Sequence, residues 1–316
     1  MTPHGLLSFP LTPFADDDTV DLAVYADHLT AQIEAGPAGL FVACGTGEFT
    51  ALSMAEYRMV VRRAVKVAAG RLPVIAGIGG GPAIAREFAC AAAECGADGA
   101  LLLPPYLVES TPAGLLRHIR YVAEPARLPI TVYQRANAVL DPETAVALLD
   151  IPTVVGIKDG RGDVDAMLRL VTAVRTSGHP RAEEFGFLNG LPTAELSAQA
   201  YRAIGVEGYS SAVLCFAPDI AGAFYRAFAD GDDAATRTLL ARFYLPFAAL
   251  RAQVPGYAVS LVKAGARLAG LPMGGVRPPL VDPSPDHVER LAAIIADGRE
   301  ALAGITHENA STVEVQ

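Results

Sequence analysis

Eight short apolar runs recur along the chain, and each is followed by a longer segment of helical period. The repeat predicts strands over 6–9, 39–43, 73–77, 99–103, 130–133, 154–158, 185–189 and 205–210. Helices are expected near 21–35, 53–69, 82–95, 112–124, 142–149, 163–177, 193–203 and 217–229. Apolar residues three and four apart carry the helix assignments. In 53–69 the stripe is Met54, Tyr57, Val61, Val65 and Ala68, and Ser53 with Glu56 forms a capping-box pattern. The strands are apolar almost throughout, as in a parallel sheet covered on both faces. A doubly wound open sheet shares the βαβ pattern, but the number and even spacing of the repeats favour a closed (β/α)8 barrel over residues 1–230. Beyond 230 the pattern changes: 232–253, 256–269 and 285–303 read as helices with no strand between them, a helical region 231–303 packed on the barrel. The polar tail 304–316 is expected to fray.

Composition narrows the function. Of 316 residues, 52% are hydrophobic and 19% charged, which requires a large core and excludes a disordered chain. The net charge of −9, without any Lys/Arg-rich run, argues against a nucleic-acid partner, although a pocket on an acidic protein can still be locally positive. Cys44, Cys90, Cys95 and Cys215 form no Cys-x-x-Cys pair and no zinc spacing, so no metal is expected. Few cysteines suit a reducing compartment. The first residues carry no secretory pattern and no apolar run is long enough to span a bilayer, so a cytoplasmic protein without membrane contact is expected.

In such a barrel, chemistry sits at the C-terminal strand ends. Those ends hold Cys44-Gly45-Thr46-Gly47-Glu48-Phe49, Tyr133-Gln134-Arg135-Ala136-Asn137, Gly156-Ile157-Lys158-Asp159-Gly160, Asn189-Gly190-Leu191-Pro192 and Tyr209-Ser210-Ser211-Ala212. Lysine is scarce: Lys66, Lys158 and Lys263 are all there are. Lys158 ends an apolar strand, where loss of hydration favours an uncharged amine able to attack a carbonyl; a lysine that simply reaches solvent is the alternative. Tyr133 either packs and satisfies its hydroxyl or, beside an amine nucleophile, shuttles protons. Gly45-Thr46-Gly47 can offer backbone N–H groups to a carboxylate or be an ordinary tight turn. Gly77-Ile78-Gly79-Gly80-Gly81 lacks both the dinucleotide fingerprint and a Walker lysine and reads as a barrel turn. Cys44 reads as packing.

Taken in order, these residues resemble the dihydrodipicolinate synthase / N-acetylneuraminate lyase superfamily of Schiff-base barrels. The resemblance spans roughly residues 5–300 and rests on Pro10-Leu11-Thr12-Pro13-Phe14, Gly45-Thr46-Gly47-Glu48, Tyr133, Gly156-Ile157-Lys158-Asp159 and Gly275-Val276-Arg277-Pro278-Pro279-Leu280. It implies that Lys158 forms an imine with a 2-oxo acid, that Tyr133 moves protons, that the Gly45–Thr46 loop holds the 2-oxo carboxylate, and that the protein is a homo-oligomer, a dimer or tetramer. Three departures argue against the synthase activity: Gly45 replaces a hydroxyl residue, Leu107 an intersubunit tyrosine, and Ala138 an arginine.

The strand-end motifs, with Asn189-Gly190-Leu191-Pro192-Thr193-Ala194-Glu195 among them, instead resemble the branch that dehydrates and decarboxylates a six-carbon 2-oxo sugar diacid, 5-dehydro-4-deoxyglucarate. Cys215 stands where that branch commonly has asparagine. For such a substrate Gly45, Thr46, Gly47, Arg135, Asn137, Gly190, Ser210 and Ser211 are the candidate binding residues. Arg135 or the serine pair is expected to meet the distal carboxylate; an ordinary ion pair is the alternative for Arg135. One imine serves as electron sink for both loss of water and loss of carbon dioxide, so no cofactor is required. A 2-keto-3-deoxy sugar acid aldolase using the same lysine and tyrosine, and a non-catalytic sugar-acid-binding barrel, are the alternatives.

Overall fold

The computed structural model describes residues 4–105 and 108–313. Leu107, and with it the expected loss of an intersubunit tyrosine contact, lies outside the described residues. Eight parallel strands, β1 (Leu6–Ser8), β2 (Leu40–Val42), β3 (Val74–Ile78), β4 (Gly99–Leu102), β5 (Ile130–Gln134), β6 (Val154–Asp159), β7 (Gly186–Asn189) and β8 (Gly208–Ser211), close in sequence order, β8 pairing back onto β1. The helices that follow them are α1 (Leu22–Glu34), α2 (Met54–Ala68), α3 (Pro82–Glu94), α4 (Pro112–Ala126), α5 (Pro142–Ala147), α6 (Val164–Arg175), α7 (Ala198–Ala203) and α8 (Pro218–Asp230). The sheet is the closed barrel that the repeat predicts.

Local chemistry sets the boundaries. Asp21, Ser53, Thr111, Asp141 and Asp163 cap helix N-termini with side-chain oxygens, and α3, α4, α5 and α8 begin at proline, whose missing N–H costs nothing in a first turn. The Ser53–Glu56 capping box forms in both directions. β8 begins three residues later than the apolar run suggests, because Gly205 takes a left-handed turn (φ 85°) and the Val206 N–H is held by the Tyr201 carbonyl. The helix expected from 193 starts as a 3-10 turn over Ala194–Ser197, where the Asn189 side chain occupies the Ala194 carbonyl.

Strand alternation sorts the barrel into two faces. Leu7, Phe41, Ile75, Leu101, Tyr133 and Leu188 point inward and share one cluster with Phe9 and Cys44. Outward residues such as Val42, Ala76, Leu102, Val132 and Val154 pack against the helices in a separate, larger core.

The remaining helices are α9 (Asp233–Leu239), α10 (Leu245–Arg251), α11 (Tyr257–Leu268) and α12 (Pro285–Val313). α9 and α10 are joined by a π-helical stretch, Leu240–Tyr244. It lies just before Pro246, which can neither donate an N–H nor fit a regular helical turn, and the wider turn accommodates it. α12 runs beyond Gly304, where a polar tail is expected from sequence, to Val313; Ile305 packs against the C-terminal core and the Thr306 hydroxyl bonds the Leu302 carbonyl. That core also includes Leu6, Tyr209 and Phe224 of the barrel, so the two regions share one interior.

A polar tie reinforces the join. The Lys263 Nζ on α11 meets Glu48 Oε1 at 2.8 Å, and the Arg277 backbone N–H donates to Glu48 Oε2 at 2.9 Å. The Arg277 guanidinium reaches Glu56 at 2.6 Å, Asp18 at 3.0 Å and the Ala51 carbonyl at 2.8 Å. Phe14 packs against both cations, each 4.1 Å from its ring centroid. The hydrogen bond from Arg277 holds the Glu56 carboxyl at about 2, below its ordinary 4.5. A depressed carboxyl stabilises the fold above 4.5 and loses that contribution as the pH falls toward 2. The unfolding free energy followed through this window should therefore fall by roughly 1 kcal/mol, solvent screening reducing the full effect of the shift, and the fall should be absent in Glu56→Gln; an identical acid limb in the variant would contradict it.

Candidate active site

The β5–β6 register pairs Tyr133 with Lys158. Neighbours in a parallel ladder face the same way, so both side chains enter the barrel at the rim. The Lys158 Nζ lies 4.0 Å from the Tyr133 ring centroid and 4.7 Å from that of Phe9, and Lys158 is only 4% exposed. Both polar tips converge on one backbone oxygen. Lys158 Nζ donates to the Gly190 carbonyl at 3.4 Å and the Tyr133 hydroxyl donates to it at 3.1 Å. Among the described residues no carboxylate pairs with Lys158.

Glycine is required on both sides of this pair. A β-carbon at 190 would fall 2.6 Å from Lys158 Cγ and 2.7 Å from Nζ, and one at 160 would fall 2.5 Å from the Tyr133 hydroxyl. The next residue, Asp159, turns away and is buried. Its carboxylate accepts from Gln134 Nε2 at 2.8 Å, from the N–H groups of Arg161 and Gly162, and from the Tyr201 hydroxyl. Asp159 is thus a structural hub that fixes the end of β6, the capping role open to any strand-end carboxylate.

Above Lys158 opens a cavity of about 330 Å3. Of the residues expected there, Gly45, Thr46, Tyr133, Arg135, Lys158, Gly190 and Ser210 line it. Gly47, Asn137 and Ser211 do not. Gly47 is buried beneath the loop, its carbonyl accepting from the Thr12 hydroxyl at 2.7 Å. Asn137 clasps the loop after β4 by donating to the carbonyls of Pro105 and Val108 at 2.9 and 2.6 Å. Ser211 alternates with Ser210 to the outer face and donates to Glu195, so the serine pair is divided by the strand period. Burial pushes the Glu195 carboxyl up to about 7.

Within the loop after β2, the N–H groups of Glu48 and Phe49 return to the carbonyls of Gly45 and Cys44, while those of Thr46 and Gly47 donate to no described residue. Among the described residues, Arg135 and Lys158 are the cationic side chains on the cavity wall, no carboxylate lines it, and the Arg135 guanidinium has no ion-pair partner. Burial raises the Cys44 and Cys215 thiols to about 12, and Cys215 donates to the Phe9 carbonyl, so both cysteines pack. Sequence reasoning misses Phe9, Thr193, Ala258, Val259 and Leu280, which form part of the wall. Apolar residues on a separate C-terminal helix carry no chemical signal of their own; the proximity of Leu280 to Arg277 in the matched motif is the one available hint. Among the described residues, no group of three or more His, Cys, Asp or Glu is placed to hold a metal ion, and no helix is long and apolar enough to cross a membrane.

Fold and site together define a (β/α)8 barrel with a buried amine and a phenol at its mouth. The chain belongs to the dihydrodipicolinate synthetase family, whose model matches residues 2–297. It is 56% identical to a Streptomyces griseus subsp. griseus protein named "Probable 5-dehydro-4-deoxyglucarate dehydratase", covering 95% of this chain and 93% of that one. A Streptomyces coelicolor protein named "Probable 5-dehydro-4-deoxyglucarate dehydratase 1" is 53% identical, over 94% and 93% of the two chains. The crystal structure of dihydrodipicolinate synthase from Oceanobacillus iheyensis superposes with a TM-score of 0.85 at 24% identity, over 94% of this chain and 97% of that chain, and shows the same fold.

The close packing around Gly190 makes a direct prediction. Gly190→Ala should retain its far-ultraviolet circular dichroism and cooperative melting, yet displace Lys158 and slow borohydride trapping of pyruvate roughly a hundredfold. Trapping at the wild-type rate would show that the lysine does not need this space.

Proposed function

We propose that the chain is a lyase, a decarboxylating dehydratase that converts 5-dehydro-4-deoxy-D-glucarate to 2,5-dioxopentanoate, water and carbon dioxide through an imine at Lys158. The observation that carries this reading is the convergence of Lys158 Nζ and Tyr133 OH on the Gly190 carbonyl, beneath a cavity bearing Arg135 and the Gly45–Thr46 loop. The names of the relatives at 56% and 53% identity support the substrate and reaction. The homo-oligomeric state and cytoplasmic location expected from sequence belong to the same proposal.

The chemistry follows from the positions. The Lys158 amine adds to the 2-oxo carbon, and water leaves as the imine forms, with Tyr133 carrying protons between nitrogen and the departing oxygen. The iminium makes the adjacent methylene acidic. Loss of one of its protons gives an enamine, which expels the β-hydroxyl as water and leaves a conjugated iminium. Cleavage of the bond to the distal carboxylate then sends its electron pair into that conjugated system and releases carbon dioxide. Reprotonation and hydrolysis free 2,5-dioxopentanoate and Lys158.

The Thr46 N–H suits the 2-oxo carboxylate, and Gly45, lacking a side chain, leaves room beside it. Arg135 suits the distal carboxylate. Its contact must be loose, because a bidentate clamp would stabilise the charged ground state and oppose decarboxylation. Asn137 and Ser211, turned elsewhere, take no part in binding, and Ser210 remains the serine at the mouth.

Two measurements test the reading. Incubation with the diacid should give 2,5-dioxopentanoate by mass, with activity lost in Lys158→Ala and kcat reduced on the order of 10²–10⁴-fold in Tyr133→Phe; release of pyruvate instead would identify an aldolase. Arg135→Ala should lower kcat/KM selectively for the diacid against its monoacid analogue 2-keto-3-deoxygluconate, whereas equal losses on both would remove Arg135 from diacid recognition.

A further inference from the structure

We propose that Lys263, on helix α11 outside the barrel, is a positioning residue that sets the loop holding the substrate's 2-oxo carboxylate. The proposal rests on the reading above that the Gly45–Thr46 loop binds this carboxylate.

Glu48 closes that loop, and its backbone is left-handed (φ 56°, ψ 43°), a region unfavourable for a residue with a side chain. Its side chain is what can hold it there. One carboxylate oxygen receives Lys263 Nζ at 2.8 Å and the other receives the Arg277 N–H at 2.9 Å. Lys263 and Glu48 side chains are 0% and 1% exposed, so the pair is cut off from water and its geometry is fixed.

The tie joins three parts of one wall. Thr46 lies two residues before Glu48, Ala258 and Val259 lie on the first turn of the helix that carries Lys263, and Leu280 follows Arg277 by three; all four residues line the cavity. Thr12 secures the floor of the loop through the Gly47 carbonyl. Lys263 never reaches the cavity and touches no substrate. It acts through Glu48, by fixing the path of the Gly45–Thr46 backbone and with it the direction of the Thr46 N–H.

Borohydride trapping on the full chain separates this role from a structural one, because pyruvate carries the 2-oxo carboxylate and methyl pyruvate does not. The double variant Lys263→Met with Glu48→Gln removes both charges without leaving either buried alone. Its half-saturation for pyruvate should rise roughly ten- to hundredfold, with the limiting trapping rate within about twofold of wild type. Its half-saturation for methyl pyruvate should not change. Unchanged pyruvate half-saturation, an equal rise for both compounds, or a fall confined to the limiting rate would each overturn the proposal. If the double variant does not melt cooperatively, Glu48→Gln alone, which keeps an acceptor for Arg277, is judged by the same outcomes. The pyruvate arm needs no dehydratase activity. A normal pyruvate response without 2,5-dioxopentanoate formation would therefore sink the reaction assignment and leave this proposal standing.

Discussion

The pairing of β8 with β1 is the contact on which the rest of the molecule depends. Leu6, Leu7 and Ser8 align with Tyr209, Ser210 and Ser211, and the sheet acquires an inside. Closure forces inward side chains of non-adjacent strands into shared layers, and it gathers all eight strand ends onto one rim. Only after closure do Phe9 of the first strand's exit, Tyr133 of the fifth strand, Lys158 of the sixth and Gly190 after the seventh share a few ångströms of space. An open sheet with the same residues would scatter them along an edge.

Two buried lysines show how environment divides one residue type between two roles. Lys263 has a carboxylate at 2.8 Å, an aromatic face beneath it, and no access to solvent; it is fixed as half of an ion pair. Desolvation works against its charged form, and Glu48 offsets that cost. Lys158 is nearly as buried, but its described polar neighbours are a carbonyl and a phenol. No ion pair has to be broken before its nitrogen meets a carbonyl carbon. The surrounding carboxylates are committed elsewhere: Asp159 to Gln134, Tyr201 and two backbone N–H groups, Glu48 to α11, Glu195 to Ser211.

The C-terminal helices are part of the catalytic architecture in the proposed reading. They share a core with β8 and α8, and they extend a wall over the mouth of the barrel. The motifs around Phe14 and Arg277, far apart in sequence, meet where both cations pack on one ring. Neither Phe14 nor Arg277 lines the cavity, which suits a framework that orients the substrate and leaves the bond-making to the rim.

The architecture could be read from the order of the residues, because that information is periodic and local. Continuous apolar runs imply strands buried on both faces, Ser53 with Glu56 specifies a helix start, and repetition implies closure. A scarce lysine at the end of such a strand marks the centre of the site for the same reason, since strand ends and rim coincide. Direction and long-range company were set by packing in three dimensions. Ser210 and Ser211 are equivalent in composition, yet the two-residue period sends one into the cavity and the other toward Glu195. Asn137 looks like a ligand for substrate, but the loop carbonyls of Pro105 and Val108 satisfy it first. Lys263 carries no local mark at all; its partner lies 215 positions away, and only packing of the last helices against the barrel brings the two charges together.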